Sequence, residues 1–277
     1  MKEAFFTERG MYYRISEMRA DLPTIVFIHG LSGSSSAWHP YERALEGKYN
    51  IISPDLRGHG RSRKLLFYSA YTPELMASDL VMLLAHLKVR HSIVVAHSFG
   101  TLLALEITRQ APDTFSSAVL INPTYGASKA WWLPLARILA AFFHGLSLIL
   151  PFDPYPRGQV NYEALTPTWD WSPRRIVQDI RNTSMRVYVF CVRHIYTLDS
   201  ESWWKSLRIP TLILHGGKDT VIAPIHAEEL HRLLPNSRFV LVKEADHMLP
   251  LNFPDKVCAS IEDFLKTAAM KSAPRDV

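Results

Sequence analysis

The chain has 277 residues, 48% hydrophobic and 21% charged, with 31 Lys and Arg against 26 Asp and Glu, a formal net charge of +5. This is a globular composition, enough for one large α/β domain or two smaller ones, and not that of a disordered chain. The basic residues are scattered, Arg61, Arg63 and Lys64 forming the longest cluster, so a nucleic-acid stripe and an aromatic-basic RNA module are both excluded.

The opening "MKEAFFTERG" has no apolar run of signal-peptide length. "AFFTERGMYYRISE" reads as a hairpin turning at Glu8-Arg9-Gly10. Then come "TIVFIHG", "YNIISPD", "SIVVAHS", "SAVLINP", "TLILHGG" and "RFVLVKEA", short runs apolar on both faces. Strands of that kind belong to a buried, mostly parallel sheet. Helical patterns lie between them: "TPELMASDLVMLLAHL", with Thr72 as N-cap and Pro73 at the first helical position, then "FGTLLALEITRQAP", "IHAEELHRLLP" and "DKVCASIEDFLKTAAM". Strand and helix alternate, so the expected class is α/β with a mostly parallel central sheet flanked by helices. Residues 124–205 interrupt the alternation, being aromatic-rich and helical in pattern. They read as an inserted helical cap on a core formed by residues 1–123 and 206–277.

Within that insertion, Trp131 to Phe152 is about long enough to cross a bilayer. It contains Arg137 and His144, and Pro134 and Gly145 interrupt it. An arginine at mid-membrane costs roughly 2.5–3.5 kcal/mol on insertion scales. The expectation is therefore no integral span but an apolar helix packed within the protein or partly exposed at a lipid-binding site, with weak lipid-surface contact by the cap as the alternative. Cys191 and Cys258 stand in no metal spacing, and no HExxH or HxH occurs. The expectation is no metal, reduced thiols and a cytoplasmic protein.

Chemistry gathers at "IVVAHSFG". Ser98 closes a buried strand and opens a helix, with Ala96 and Gly100 as its small neighbours. A sharp strand-to-helix turn projects the hydroxyl from the carboxyl edge of a sheet and sets the Phe99 amide at a helix N-terminus. By itself the serine reads equally as a helix N-cap. A serine nucleophile also needs a base, and the base an orienting acid. "LILHGGKDTVIAP" puts Asp219, and "VLVKEADHMLPLNFP" puts His247, in loops after later strands. Ligands of open α/β sheets bind at such strand ends. Upstream, "VFIHGLSGSSSAW" offers the Leu31 amide as a second oxyanion donor. The competing side chains fit less well. His97 fits a packed or hydrogen-bonded role beneath the turn, and His29 and His59 fit structural roles. Asp246 adjoins His247 and cannot readily reach its ring, and Asp199 lies in the cap. The loop at Asn122-Pro123 offers no acid.

In the order Ser, Asp, His, with "HGLSGSSSAW", "DLRGHGRS", "AHSFG", "HGGKD" and "ADHMLPLNFP" along nearly its whole length, the chain resembles the α/β-hydrolase superfamily, the esterase- and lipase-like branch with a helical cap. The resemblance implies a Ser98–His247–Asp219 triad, an oxyanion hole from the Leu31 and Phe99 amides, and no cofactor. Two positions depart from the family pattern. Ala96 replaces the first Gly of the elbow, as in some similar bacterial lipases, and Asn252 stands where many relatives carry Glu. A serine nucleophile argues against epoxide hydrolase and haloalkane dehalogenase chemistry, since the relatives that do those reactions use Asp. The expected substrate is a small hydrophobic carboxylic ester, of medium-chain acyl or monoacylglycerol type. Trp131, Trp132, Trp203 and Met248 are expected to line its pocket. A carbon–carbon bond hydrolase acting on a β-diketone-like ring-cleavage product would use the same triad, and Arg174 or Arg175 holding a substrate carboxylate would favour it. A hydrolase-fold receptor with little turnover is the non-enzymatic alternative.

Overall fold

The computed structural model describes residues 1–126, 133–149, 152, 154–156, 158–198 and 200–272. The chain opens with the expected hairpin, β1 (Lys2–Phe6) and β2 (Met11–Ile15), and alternates through β3 (Thr24–Ile28), α1 (His39–Leu45), β4 (Asn50–Pro54), α2 (Pro73–His86), β5 (Ser92–His97), α3 (Phe99–Gln110) and β6 (Phe115–Ile121). Four helices follow, α4 (Leu133–Ile149), α5 (Pro173–Thr183), α6 (Met185–Thr197) and α7 (Glu201–Ser206). The alternation then resumes with β7 (Thr211–Gly216), α8 (Pro224–Leu233), β8 (Ser237–Val242), α9 (Leu249–Asn252) and α10 (Pro254–Ser272). Thr72 caps α2 as expected, its side chain accepting the Leu75 N–H.

The eight strands form one sheet in the order β1-β2-β4-β3-β5-β6-β7-β8. β2 pairs antiparallel with β1 and β4, and the remaining pairs are parallel. Alternate residues of the central strands face opposite ways, which is why their runs are apolar throughout. Val26, Ile28, Val94 and Leu120 pack beneath α2 and α3 with Leu80 and Leu103. Ile25, Phe27, Val95 and Val119 pack on the other side with Trp38, Tyr41, Ile261 and Phe264. The strand order reverses at β3, with β4 on one side and β5 on the other, so the carboxyl ends of β3 and β5 flank a topological switch point.

Between β6 and β7 the described residues form no strand. Of the two arrangements expected for the apolar helix, packed within the protein or partly exposed, α4 is partly exposed. Its inward positions include Ala140, Ser147 and His144, whose ring lies 5.2 Å from Phe190 of α6. Leu135, Ile138, Leu139, Phe142, Phe143, Leu146, Leu148 and Ile149 are exposed. Leu133 is buried too, but most of the large α4 residues face outward. None of the described helices is long and apolar enough to cross a membrane. Cys191 and Cys258 are buried and unbridged.

Candidate active site

Ser98 is the single residue between β5 and α3, and its backbone sits at φ 49°, ψ −120°. That region is strained for a residue with a Cβ. It is held by the Ser98 N–H donating to the Ile121 carbonyl at 2.9 Å, and by the Ser98 carbonyl accepting the Thr101 N–H and hydroxyl at 2.9 and 2.6 Å. Gly100 lets α3 start against β3, since a Cβ there would lie 2.6 Å from the carbonyl oxygens of Ile28 and His29. Ala96 is fully buried between Ile28 and Leu120 of the flanking strands. Its methyl is accommodated in the sheet without displacing the turn.

The Ser98 hydroxyl does not cap its helix. Its Oγ lies 2.8 Å from His247 Nε2, and His247 Nδ1 lies 2.7 Å from Asp219 Oδ2. An ionised carboxylate only accepts, so Nδ1 carries the imidazole proton and Nε2 is left to accept from the serine. Asp219 is buried, which by itself would raise its pKa. Hydrogen bonds from His247 and the Ile222 N–H outweigh this and hold it below the usual carboxylate value. Oδ1 takes the Val221 and Ile222 N–H groups, each at 2.8 Å, and Oδ2 also takes Asn122 Nδ2 at 2.6 Å. A search of the β6 loop for an acid passes over Asn122, although its amide fixes the carboxylate orientation.

His97 Nε2 donates to the His247 carbonyl at 3.0 Å. Burial, with His247 nearby, lowers the His97 pKa to about 3, so it is a neutral donor supporting the His247 loop. His29 is likewise neutral, pushed by burial to about 4; its Nε2 accepts the Leu56 N–H at 3.0 Å and its Nδ1 donates to the Gly30 carbonyl at 2.7 Å. These bonds fix the loop carrying Leu31. The Phe99 amide is the first of α3 and has no partner within the helix. Neither it nor the Leu31 amide donates to a protein acceptor among the described residues.

Leu31, Ser98, His247 and Met248 line a cavity of about 410 Å³. Its apolar wall includes Ile176, Ile180, Val192, Ile195 and Ile222. Arg175 is the one Lys or Arg among the described lining residues. Its Nη1 pairs with Asp179 at 2.5 Å and its Nη2 donates to the Asp170 carbonyl at 2.7 Å, while Arg174 is exposed. Trp203 is not at the cavity. α7 packs on α3, and the Trp203 ring lies 4.2 Å from the Arg109 guanidinium carbon. Trp131 and Trp132, like Asp199, lie outside the described residues.

Asp170, a residue the sequence reading passes over, precedes α5 and is buried. One oxygen accepts the His247 N–H at 2.7 Å; the other accepts the Thr220 N–H and hydroxyl at 2.8 and 2.5 Å. Asn252, at the position that departs from the family pattern, forms a reciprocal pair with the Thr168 backbone at 2.7 and 2.9 Å. Asp246 accepts the Met248 and Asp170 N–H groups, at 2.9 and 3.3 Å.

Residues 23–254 match the family model described as alpha/beta hydrolase fold. A protein of Pseudomonas savastanoi pv. phaseolicola with the provisional name carbamate hydrolase RutD is 28% identical over 269 residues, covering 92% of this chain and 98% of that one. Among solved structures, the enol-lactonase from Burkholderia xenovorans LB400 superposes with a TM-score of 0.73 at 21% identity, over 96% of this chain and 100% of that one. A thermophilic esterase from Thermogutta terrifontis gives 0.72 at 22% identity, over 93% and 94%.

Proposed function

Since the chain belongs to the α/β-hydrolase fold family, we propose that it is a serine hydrolase that cleaves a hydrophobic carboxylic ester through an acyl-enzyme on Ser98. The observation that carries this reading is the hydrogen-bonded series Ser98 Oγ, His247, Asp219, opening on a cavity beside the undonated Leu31 and Phe99 amides. In the proposed reaction His247 Nε2 takes the Ser98 proton as Oγ attacks the ester carbonyl. Asp219 steadies the imidazolium. The Leu31 and Phe99 N–H groups receive the oxyanion, each such donor being worth about 3–4 kcal/mol in the transition state. His247 then protonates the leaving alkoxide. Water, deprotonated by His247, releases the acid and restores Ser98.

A cavity of about 410 Å³ with an isoleucine-rich wall supports a medium-chain acyl ester or monoacylglycerol-type substrate. The relatives named for a carbamate, a lactone and an ester support attack at a carbonyl. For the carbon–carbon bond alternative a substrate carboxylate needs an available cation. The Arg175 charge is already paired with the Asp179 carboxylate, and its second Nη donates to the Asp170 main-chain carbonyl, which favours the ester. A panel of p-nitrophenyl esters tests the proposal. Turnover is expected to rise from acetate to medium-chain esters and to vanish in Ser98→Ala. Wild type inert on every ester, or Ser98→Ala as active as wild type, would sink it.

A further inference from the structure

The two loops that bring His247 and Asp219 together arise from different strands, and neither is held in place by the 2.7 Å bond between those side chains alone. The Asp170 carboxylate spans them from the insertion, one oxygen on the main chain of His247, the other on Thr220, the residue after Asp219. No side-chain cation pairs with this carboxylate among the described residues, so its charge is met by these N–H and O–H donors. The attachment is directed at the reacting groups; the insertion is seated independently by Thr168 on Asn252 and by Gln159 on Asp55.

We infer that Asp170 is a positioning residue, which sets the separation of the His247 and Asp219 loops so that the acid–base pair is assembled only with this stretch of the insertion seated. The inference rests on the reading of Ser98, His247 and Asp219 as the reacting groups. A carboxamide cannot replace the carboxylate. It has one accepting oxygen, and whichever way it faces, its NH2 meets the N–H of His247 or that of Thr220. One loop then loses its acceptor and moves, and a displacement of about 1 Å is enough to cost ~100-fold in rate.

The test compares Asp170→Asn with Asn252→Ala, which removes the Thr168 pair that holds the same stretch and leaves the groups that meet Asp170, the His247 N–H and Thr220, in place. For Asp170→Asn, kcat on the best p-nitrophenyl ester is expected to fall about 10- to 100-fold with KM within about threefold of wild type. Fluorophosphonate labelling of Ser98 should slow in parallel, and the far-downfield proton resonance of the His247–Asp219 hydrogen bond should disappear. Asn252→Ala should keep that resonance and hold kcat within about threefold. Wild-type kcat or an intact resonance in Asp170→Asn overturns the inference, as does an equal kcat loss in both variants at equal loss of melting temperature. If Asp170→Asn does not fold, Thr220→Val serves, with kcat expected to fall about three- to tenfold and the His247–Asp219 resonance to weaken; no change in either overturns the inference as well. A wild-type protein inert on esters and to the probe would defeat the functional reading, while the resonance still judges Asp170.

Discussion

The strained backbone of Ser98 depends on glycine two residues on. Gly100→Ala pushes a methyl against two main-chain carbonyls that cannot rotate away. It is expected to destabilise the protein by about 1–3 kcal/mol or more, read as a lowered thermal midpoint, with activity lost beyond what the unfolded fraction explains. A wild-type midpoint would show that the α3 start has room to shift. Asp179 makes a pH prediction. Burial raises its carboxyl to about 6, against the pull of Arg175 and the Tyr162 hydroxyl. The folded state thus holds the proton more tightly than the unfolded chain, whose value is about 3.9. The associated stability is full below pH ~4 and lost as pH rises through about 6. Asp179→Asn should lack this decline, so the melting-temperature gap between wild type and variant should change across that window; a constant gap contradicts the assignment. Ser98, Asp219 and His247 were legible in the sequence because each follows an apolar strand run, in family order. Asn122 and Asp170 were not, since their roles arise from contacts across 97 and 77 residues that no local pattern encodes.

At the level of elements, the alternation of apolar strands with capped helices made the sheet readable, down to Thr72 at the start of α2. The orientation of insertion helices was not readable. α4 is apolar on nearly every side, so its sequence does not say which side meets α6. The same holds for Trp203, expected at the pocket and found stacked on Arg109 because α7 packs against α3. Helix α4 is exposed around most of its circumference, and Arg137 is its sole Lys, Arg, Asp or Glu. One side of α4 packs on α6; fluid acyl chains can cover the exposed remainder, and anionic headgroups suit Arg137, whose Nε donates to the Tyr196 carbonyl at 2.9 Å. We propose weak contact of α4 with an anionic lipid surface. Co-sedimentation with phosphatidylglycerol–phosphatidylcholine vesicles is expected for wild type and is expected to be lost in Ile138→Asp/Phe142→Asp, with soluble-ester kcat unchanged. A wild-type protein that stays in the supernatant, or that pellets equally without vesicles, would contradict it.

For the molecule as a whole, the sheet order sets the site. β3 and β5 part company at the switch point and deliver Leu31 and Ser98 to one crevice, and β7 and β8 send Asp219 and His247 toward it. In the proposed reading the strand ends provide the reacting groups, while α5 and α6 supply Ile176, Ile180, Val192 and Ile195 to the apolar cavity wall. Substrate size and polarity should therefore follow the insertion, and the reaction type the core. The direct test of that division of labour is covalent labelling with an alkyl fluorophosphonate, read by intact-mass and peptide mass spectrometry. One adduct on Ser98 is expected in wild type and none in Ser98→Ala, with His247→Ala labelled far more slowly. Wild type left unmodified, or an adduct on another residue that persists in Ser98→Ala, would contradict the assignment of Ser98 as the nucleophile.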